Sequence, residues 1–231
     1  MSAMEPTPTG DERMWTARLR RRLAAILPPG QALPDRQPAF VSSWIYVFGV
    51  GCLAAMVIVL VSGTLLVLQG PAWYHLSSVG RFVNSLHLWS VELFFFTMVV
   101  HLWGKFLMAA WRGKRGLTWV TGAVAFLGSI ATAFTGYLVQ SNFDAQWIST
   151  QAKDGLNSVG IGAWFNVLDF GQMLLFHVIL FPLVLGLLVV WHIVLVRRHG
   201  VVPPFEETAP STDTAPSTEA APATDEAKVA S

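Results

Sequence analysis

Apolar positions along the chain gather into four long blocks, divided by stretches rich in basic, polar or aromatic residues. Trp44 to Leu68, Leu117 to Val139 and Phe170 to Val196 contain no Asp, Glu, Lys or Arg, and Ser85 to about Ala110 carries only Glu92 and Lys105. A helix needs about 20 apolar residues to cross a bilayer, so each block is long enough. Lipid offers nothing to an unpaired backbone group, and each block is therefore predicted to be α-helical. Ahead of them, DERMWTARLRRRLAAIL (11–27) reads as an amphipathic helix lying on the membrane surface. A merely solvated basic helix is the alternative. After Pro204 the Ala/Pro/Ser/Thr-rich string FEETAPSTDTAPSTEAAPATDEAKVAS cannot bury a core and is expected to be disordered. The organisation expected is an amino-terminal segment over 1–40, a four-helix membrane domain over 41–204 and a tail over 205–231. The fold class is all-α.

Composition agrees with this pattern. Charged residues make up 13% of the chain and mean hydropathy is +0.51, whereas a soluble domain carries about 25% charged residues. A net charge of +1 gives no footing for nucleic acid. The single cysteine, Cys52, excludes an internal disulfide framework, a CxxC redox pair and a Cys-ligated iron–sulfur cluster in this chain. Basic residues cluster before the first block (six arginines from Arg13 to Arg36), between the second and third (Arg112, Lys114, Arg115) and after the fourth (Arg197, Arg198). By the positive-inside rule both termini and the second loop face the cytoplasm, which makes this a multi-pass protein of the inner (cell) membrane. The arginine-rich start leads into a full-length span with no small-residue cleavage site, so it does not read as a secretory signal.

Four histidines sit inside the apolar blocks, where imidazole nitrogens lack partners and an ionisable group is a functional suspect. His87 and His101 lie fourteen positions apart on the second block, and His177 and His192 fifteen apart on the fourth. At about 100° per residue, fourteen steps fall roughly 40° short of whole turns and fifteen overshoot by roughly 60°. Each pair thus shares approximately one helix face, with its members about 21–23 Å apart along the axis. Pro182 lies between the second pair and can bend or unwind the helix enough to absorb the extra step. Alternate spans run the same way, so His87 shares a depth with His177, and His101 with His192. Two imidazoles facing at each of two depths is a geometry for two axially ligated haems. Ligation gives one ring nitrogen an iron partner and leaves the other N–H for a carbonyl or hydroxyl.

Glycines repeat the interval. Gly49 and Gly63 on the first block and Gly122 and Gly136 on the third are again fourteen apart. By span direction Gly49 and Gly122 fall at the depth of His101 and His192, and Gly63 and Gly136 at that of His87 and His177. A missing Cβ lets a bulky flat ring approach the backbone, although any one of these glycines also suits ordinary helix packing.

With His-x13-His on the second span, His-x14-His on the fourth and Gly-x13-Gly on the first and third, the chain resembles cytochrome b. The likeness is to the amino-terminal, four-helix half found in quinol-oxidising cytochrome bc and bf complexes. RGLTWVTG (115–122), TGY (135–137), HVILFP (177–182) and VRRHG (196–200) resemble that family's strings, and the likeness covers roughly residues 12 to 204. It implies a four-transmembrane-helix di-haem bundle with two haem b groups, the outer on His87/His177 and the inner on His101/His192. It implies the electron-transfer subunit of a quinol–cytochrome c oxidoreductase. Quinol oxidised at the outer face would give one electron to a Rieske iron–sulfur protein and the other through both haems to quinone. Implied partners are that Rieske protein, a carboxyl-terminal cytochrome b chain (subunit IV-like), a c-type cytochrome and a second copy in a homodimeric complex. By resemblance Arg197 stands near the inner haem's propionates, and Arg115 and Trp119 near the same end.

The chain departs from the family pattern in several places. Asn84 stands where the family usually has arginine before the first histidine, and Leu88 where the bf type has arginine after it, which leaves Arg81 to serve the outer haem. VQSNFDAQW (139–147) replaces a Pro-Trp string that borders the outer quinol pocket, and Val47 stands where the bf type attaches an extra haem through cysteine, so no covalent haem is expected. Two other functions compete: a di-haem anchor linking the quinone pool to a different oxidoreductase, and a haem-free transporter or assembly factor using the histidines for protons or scaffolding. Glu92 is the one acidic group inside the spans, fit either to line a polar cavity or to bond across helices.

Overall fold

The structure is a computed structural model that describes residues 15–26, 28 and 44–202. All regular structure among the described residues is helical. The elements are α1 (Trp15–Ile26), α2 (Ile45–Gln69), α3 (Pro71–Leu76), α4 (Ser78–Leu107), α5 (Gly116–Val139), α6 (Phe143–Ser158) and α7 (Phe170–His199). Four of them, α2, α4, α5 and α7, are long and apolar enough to cross a membrane. The tail over 205–231 lies outside the described residues, as do residues 29–43. Helix α1 carries Trp15, Leu19, Leu23 and Ile26 exposed at helical spacing, an apolar stripe on an otherwise basic helix.

The interior is built from small and hydroxylated side chains. Ala55 and Ser62 on α2, Ser90 and Thr97 on α4, and Thr121, Ala125 and Ser129 on α5 are buried. Large apolar residues such as Leu68, Trp103 and Leu127 point outward. Without water to drive helices together, membrane helices associate where small residues let backbones approach. Most of these buried hydroxyls return to their own helix: Ser62 Oγ donates to Ile58 O at 2.6 Å, Thr97 Oγ1 to Leu93 O at 2.9 Å, Thr121 Oγ1 to Thr118 O at 2.8 Å and Ser129 Oγ to Ala125 O at 2.8 Å. Helix α2 packs closely on α4 and α5 on α7, while few contacts join the two pairs. That leaves space between them.

Elements beyond the four spans refine the apolar pattern. Helix α4 starts at Ser78, seven residues before the block at Ser85, because Ser77 caps it by accepting the Gly80 N–H at 3.2 Å. Arg81 and Asn84 in its first turns mask that start from hydropathy. Helix α6 begins at Asn142, whose side chain accepts from Ala145 N at 2.8 Å, with Asp144 in the first turn suiting the positive end of the helix dipole. It covers a small core of Leu138, Val167 and Met173. Phe165 stacks on Phe176 there (centroids 5.4 Å), whereas Phe143, Trp147 and Trp164 stay exposed.

In α7 the segment Phe176–Leu180 is a π-helical turn, with Phe181 N donating to Phe176 O. Pro182 has no N–H to offer the carbonyl four residues back, and the wider turn accommodates the loss. A π turn takes in one extra residue. The fifteen-residue interval from His177 to His192 therefore behaves like the fourteen-residue interval on α4, and both pairs end with nearly the same angular offset.

The tightest backbone approach is that of α3 to α4, where a Cβ at Gly80 would strike the Trp73 carbonyl. Backbone cannot swing aside as a side chain can. Gly80→Val is expected to destabilise the protein by about 1–3 kcal/mol, read as a lower apparent Tm of the purified chain in detergent. Gly155→Ala, where the space is open, is the matched control.

Candidate functional site

The space between the helix pairs is lined by His87 and His177, with Gly63, Thr132, Phe95 and Pro182 among its walls, and is open at its sides. The two imidazoles stand across it, centroids 6.3 Å apart and planes at 89°. Two imidazoles bound to opposite sides of one metal, with metal–nitrogen bonds of about 2.0–2.1 Å, would have centroids about 6 Å apart. The observed separation fits a metal held between the rings. Among the described residues no group of three or more His, Cys, Asp or Glu side chains converges.

Hydrogen bonding decides which ring nitrogen is free. His87 Nδ1 lies 3.1 Å from Val59 O and 3.0 Å from Ser62 Oγ, and His177 Nδ1 lies 3.0 Å from Thr132 O. A carbonyl can only accept, so Nδ1 carries the proton in both rings. His192 Nδ1 is 3.1 Å from Thr121 Oγ1, which already donates to Thr118 O at 2.8 Å and so accepts from the ring. In these three neutral rings Nε2 keeps its lone pair, and it makes no hydrogen bond among the described residues. That is the tautomer a metal ligand needs, set by neighbours that also hold the ring's orientation.

All four glycines of the fourteen-residue pattern face a histidine. A Cβ built on Gly49 would lie 3.0 Å from His101 Cε1, on Gly63 3.0 Å from His87 Cε1, and on Gly122 3.0 Å from His192 Cε1; on Gly136 it would overlap the His177 ring. In the structure an imidazole ring stands against each missing Cβ, so each glycine faces one histidine. The pairing by depth is the one that span direction requires.

The second pair, His101 and His192, lies within electrostatic reach of one another at the basic end of the bundle. Four buried polar atoms here have no hydrogen-bond partner: His101 Nδ1, Lys105 Nζ, Arg115 Nε and Trp119 Nε1. Lys105 Nζ sits 3.5 Å over the Tyr46 ring, and Arg115 is within electrostatic reach of the same tyrosine. The described carboxylates, Glu92, Asp144, Asp154 and Asp169, all lie elsewhere. Orphaned buried donors are costly, and a cationic set of them is complementary to an acidic group that would satisfy them. Arg115 and Trp119 belong to the sequence-derived set, while Lys105 does not. Its only sequence signal is a lone cation in an apolar span, one turn beyond His101.

The other two sequence-derived arginines are both exposed. Arg197 is exposed at the end of α7. Arg81 is exposed at the start of α4, with Nη1 3.4 Å from His75 O. Near α7's end it is His199 that reaches inward, with Nδ1 3.2 Å from Thr118 Oγ1.

The chain is similar to several known proteins. A family profile described as "Cytochrome b(N-terminal)/b6/petB" matches residues 92–224, a span that holds His101, His177, His192, Gly122 and Gly136 but not His87, Gly49 or Gly63. The cytochrome b subunit of a cytochrome bc complex from Chlorobaculum thiosulfatiphilum is 30% identical, over 54% of this chain and 32% of that protein. Cytochrome b6 of Heliomicrobium gestii is 27% identical, over 54% of this chain and 64% of its own length. The match thus spans 32% of the one relative and 64% of the other, less than two thirds of either. A solved chain from a "Hyperthermophilic respiratory Complex III" superposes with a TM-score of 0.64 at 21% identity, covering 87% of this chain and 58% of that one, and shows a shared fold.

The glycine–histidine contacts lead to a graded expectation. Gly136→Ala should lower the apparent Tm most, Gly49→Ala, Gly63→Ala and Gly122→Ala less, within the roughly 1–3 kcal/mol of overpacking. Gly128→Ala, whose Cβ would meet only Leu185 Cδ1 at 3.8 Å, should leave it unchanged.

Proposed function

The chain belongs to the cytochrome b amino-terminal/b6 family, whose members bind haem, and on that footing we propose that it is a di-haem subunit carrying electrons from quinol across the membrane in a bc-type quinol–cytochrome c reductase. His87 and His177 hold the haem nearer the loop that contains α6. His101 and His192 hold the one nearer the basic end. The observation that carries the reading is the His87–His177 pair, 6.3 Å apart with both Nδ1 protons committed to helix carbonyls. Haem held by these histidines would supply one-electron transfer.

The chain's own residues supply binding, orientation and charge. Ser62, Val59, Thr132 and Thr121 fix the ring tautomers, and Gly49, Gly63, Gly122 and Gly136 let the imidazoles sit against the opposite helix. Lys105, Arg115 and Trp119 receive the acidic groups of the haem at the basic end, which explains donors that otherwise stay unmet. The outer haem's acidic groups fall to Arg81, exposed nearby, and Arg197 serves at the basic end from outside the buried cluster. The basic end faces the cytoplasm with both termini. The partners are a Rieske iron–sulfur protein, a carboxyl-terminal cytochrome b chain and a c-type cytochrome, in a dimeric complex.

One observation favours a second reading. The segment that departs from the family's Pro-Trp string folds as the capped start of α6, which alters the border of the expected quinol pocket. A di-haem anchor serving a different oxidoreductase would tolerate that change. Co-purification of a Rieske protein selects the first reading, and co-purification of a dehydrogenase subunit without one selects the second.

Reduced-minus-oxidised spectra of the purified chain should show b-type haem at about two per chain, with the ligands contributed as paired axial histidines. His101→Leu and His192→Leu should each remove one haem and leave the His87/His177 signal; a colourless folded protein from haem-replete cells would refute the proposal. Ser62→Ala and Thr121→Val should weaken haem retention by about 10–100-fold, the usual cost of losing a ligand's supporting hydrogen bond. Lys105→Met removes a cation beside one haem and should lower that haem's midpoint potential by about 60 mV, a tenfold shift for one electron, without moving the other.

A further inference from the structure

Glu92 stands at the middle of α4, fourteen residues from its first residue and fifteen from its last. Relative to His101 it is nine residues back, about 900° at 100° per residue, and so points away from the bundle interior. The structure agrees: Glu92 is exposed, and it makes no hydrogen bond or ion pair among the described residues. Trp89 and Phe96 flank it one turn to either side at 75% and 62% exposure, and Trp103 follows on the same face at 62%. A carboxylate therefore sits at mid-membrane depth on the outer surface of the bundle, within an aromatic stripe. It neither lines the internal cavity nor bonds across these four helices.

A carboxyl group facing hydrocarbon is costly, and such groups in membrane spans face protein or water and pair with a donor. No other described ionisable side chain shares this face near its depth: Arg81 is eleven residues away, about 16 Å along the axis. A second copy of the chain does not answer the need. In a two-fold dimer about an axis normal to the membrane, a contact through this face is isologous and brings Glu92 to its own mate at equal depth. Like carboxylates would then oppose one another. Lipid tails provide no donor at all. The solved chain that shares this fold is covered by this one over only 58% of its length, so that architecture contains further polypeptide.

We propose that the α4 face centred on Glu92 is the docking surface for a membrane segment of a partner polypeptide that presents a cationic or hydrogen-bond-donating side chain at mid-depth. Glu92 forms a buried pair with that side chain, and Trp89 and Phe96 pack around it to exclude lipid. The pair sets the partner's depth and rotation, because a single charged contact in hydrocarbon tolerates no slip of register. The inference rests on the membrane-spanning fold and is independent of haem ligation.

The test uses the full chain in its native membrane, with a photo-cross-linking residue replacing Phe96 and, as reference, Leu127 on α5, which is 64% exposed. The expected adduct from position 96 maps to a membrane segment of a different polypeptide, with Lys, Arg, Tyr, Trp, Ser or Thr within one turn of the linked residue. An adduct with lipid alone, with a second copy of this chain, or with a wholly apolar segment would overturn the proposal. Glu92→Leu should reduce recovery of the identified partner in mild detergent at least about tenfold, equivalent to about 1.4 kcal/mol, and Glu92→Gln less. Unchanged recovery with leucine would also overturn it. Where the leucine variant does not accumulate, the cross-link in the chain that retains Glu92 decides.

Discussion

The proton on histidine Nδ1 is the constraint on which the rest of this bundle depends. A neutral imidazole in hydrocarbon has one nitrogen that donates and one that accepts, and each must be met or left for a ligand. Here His87 and His177 give their protons to carbonyls of the facing helix, and His192 gives its proton to a hydroxyl that is itself anchored to a carbonyl. To make those bonds each ring must bring its Cε1–Nδ1 edge against α2 or α5, and glycine stands at the point of contact. Ring tautomer, helix spacing and glycine placement are thus one arrangement seen at three scales.

That arrangement explains why the four helices associate as two close pairs. Each pair is closed by its own glycine–histidine contacts and small buried residues, and each presents two imidazoles to the opposite pair across a gap. Few protein contacts join the pairs, so a group bound in the gap would also hold the domain together. Anything that binds the folded state alone adds to its stability, and a group gripped from both sides would do so at two depths.

The two ends of the bundle are chemically unlike. One carries buried, unsatisfied cationic and indole donors with no carboxylate among the described residues near them. The other is closed by α6 and a small aromatic core, with Asp144, Asp154 and Asp169 around it. Such asymmetry biases both orientation in the membrane and the electrostatic environment of the two histidine pairs. Outside the bundle, Glu92 adds a third polar feature that the internal chemistry does not use.

The four spans, their alternation and the depth pairing of histidines with glycines were legible in the sequence, because each follows from local periodicity: apolar length, helical rise and an interval of fourteen. Several features were not. Pro182 marked where the extra step could be absorbed, but that a π turn at Phe176–Leu180, just ahead of the proline, absorbs it is seen only in the structure. The early start of α4 turns on a single serine cap, and hydropathy does not see it. Lys105 could be read only as a charge in a greasy segment until folding set it over Tyr46 beside Arg115 and Trp119, and Arg197 and Arg81 read as site residues although packing leaves them exposed. Periodicity along one helix determines which side chains share a face. Which faces meet, and which polar atoms are left without a partner when they do, is decided only by contacts between residues far apart in the chain.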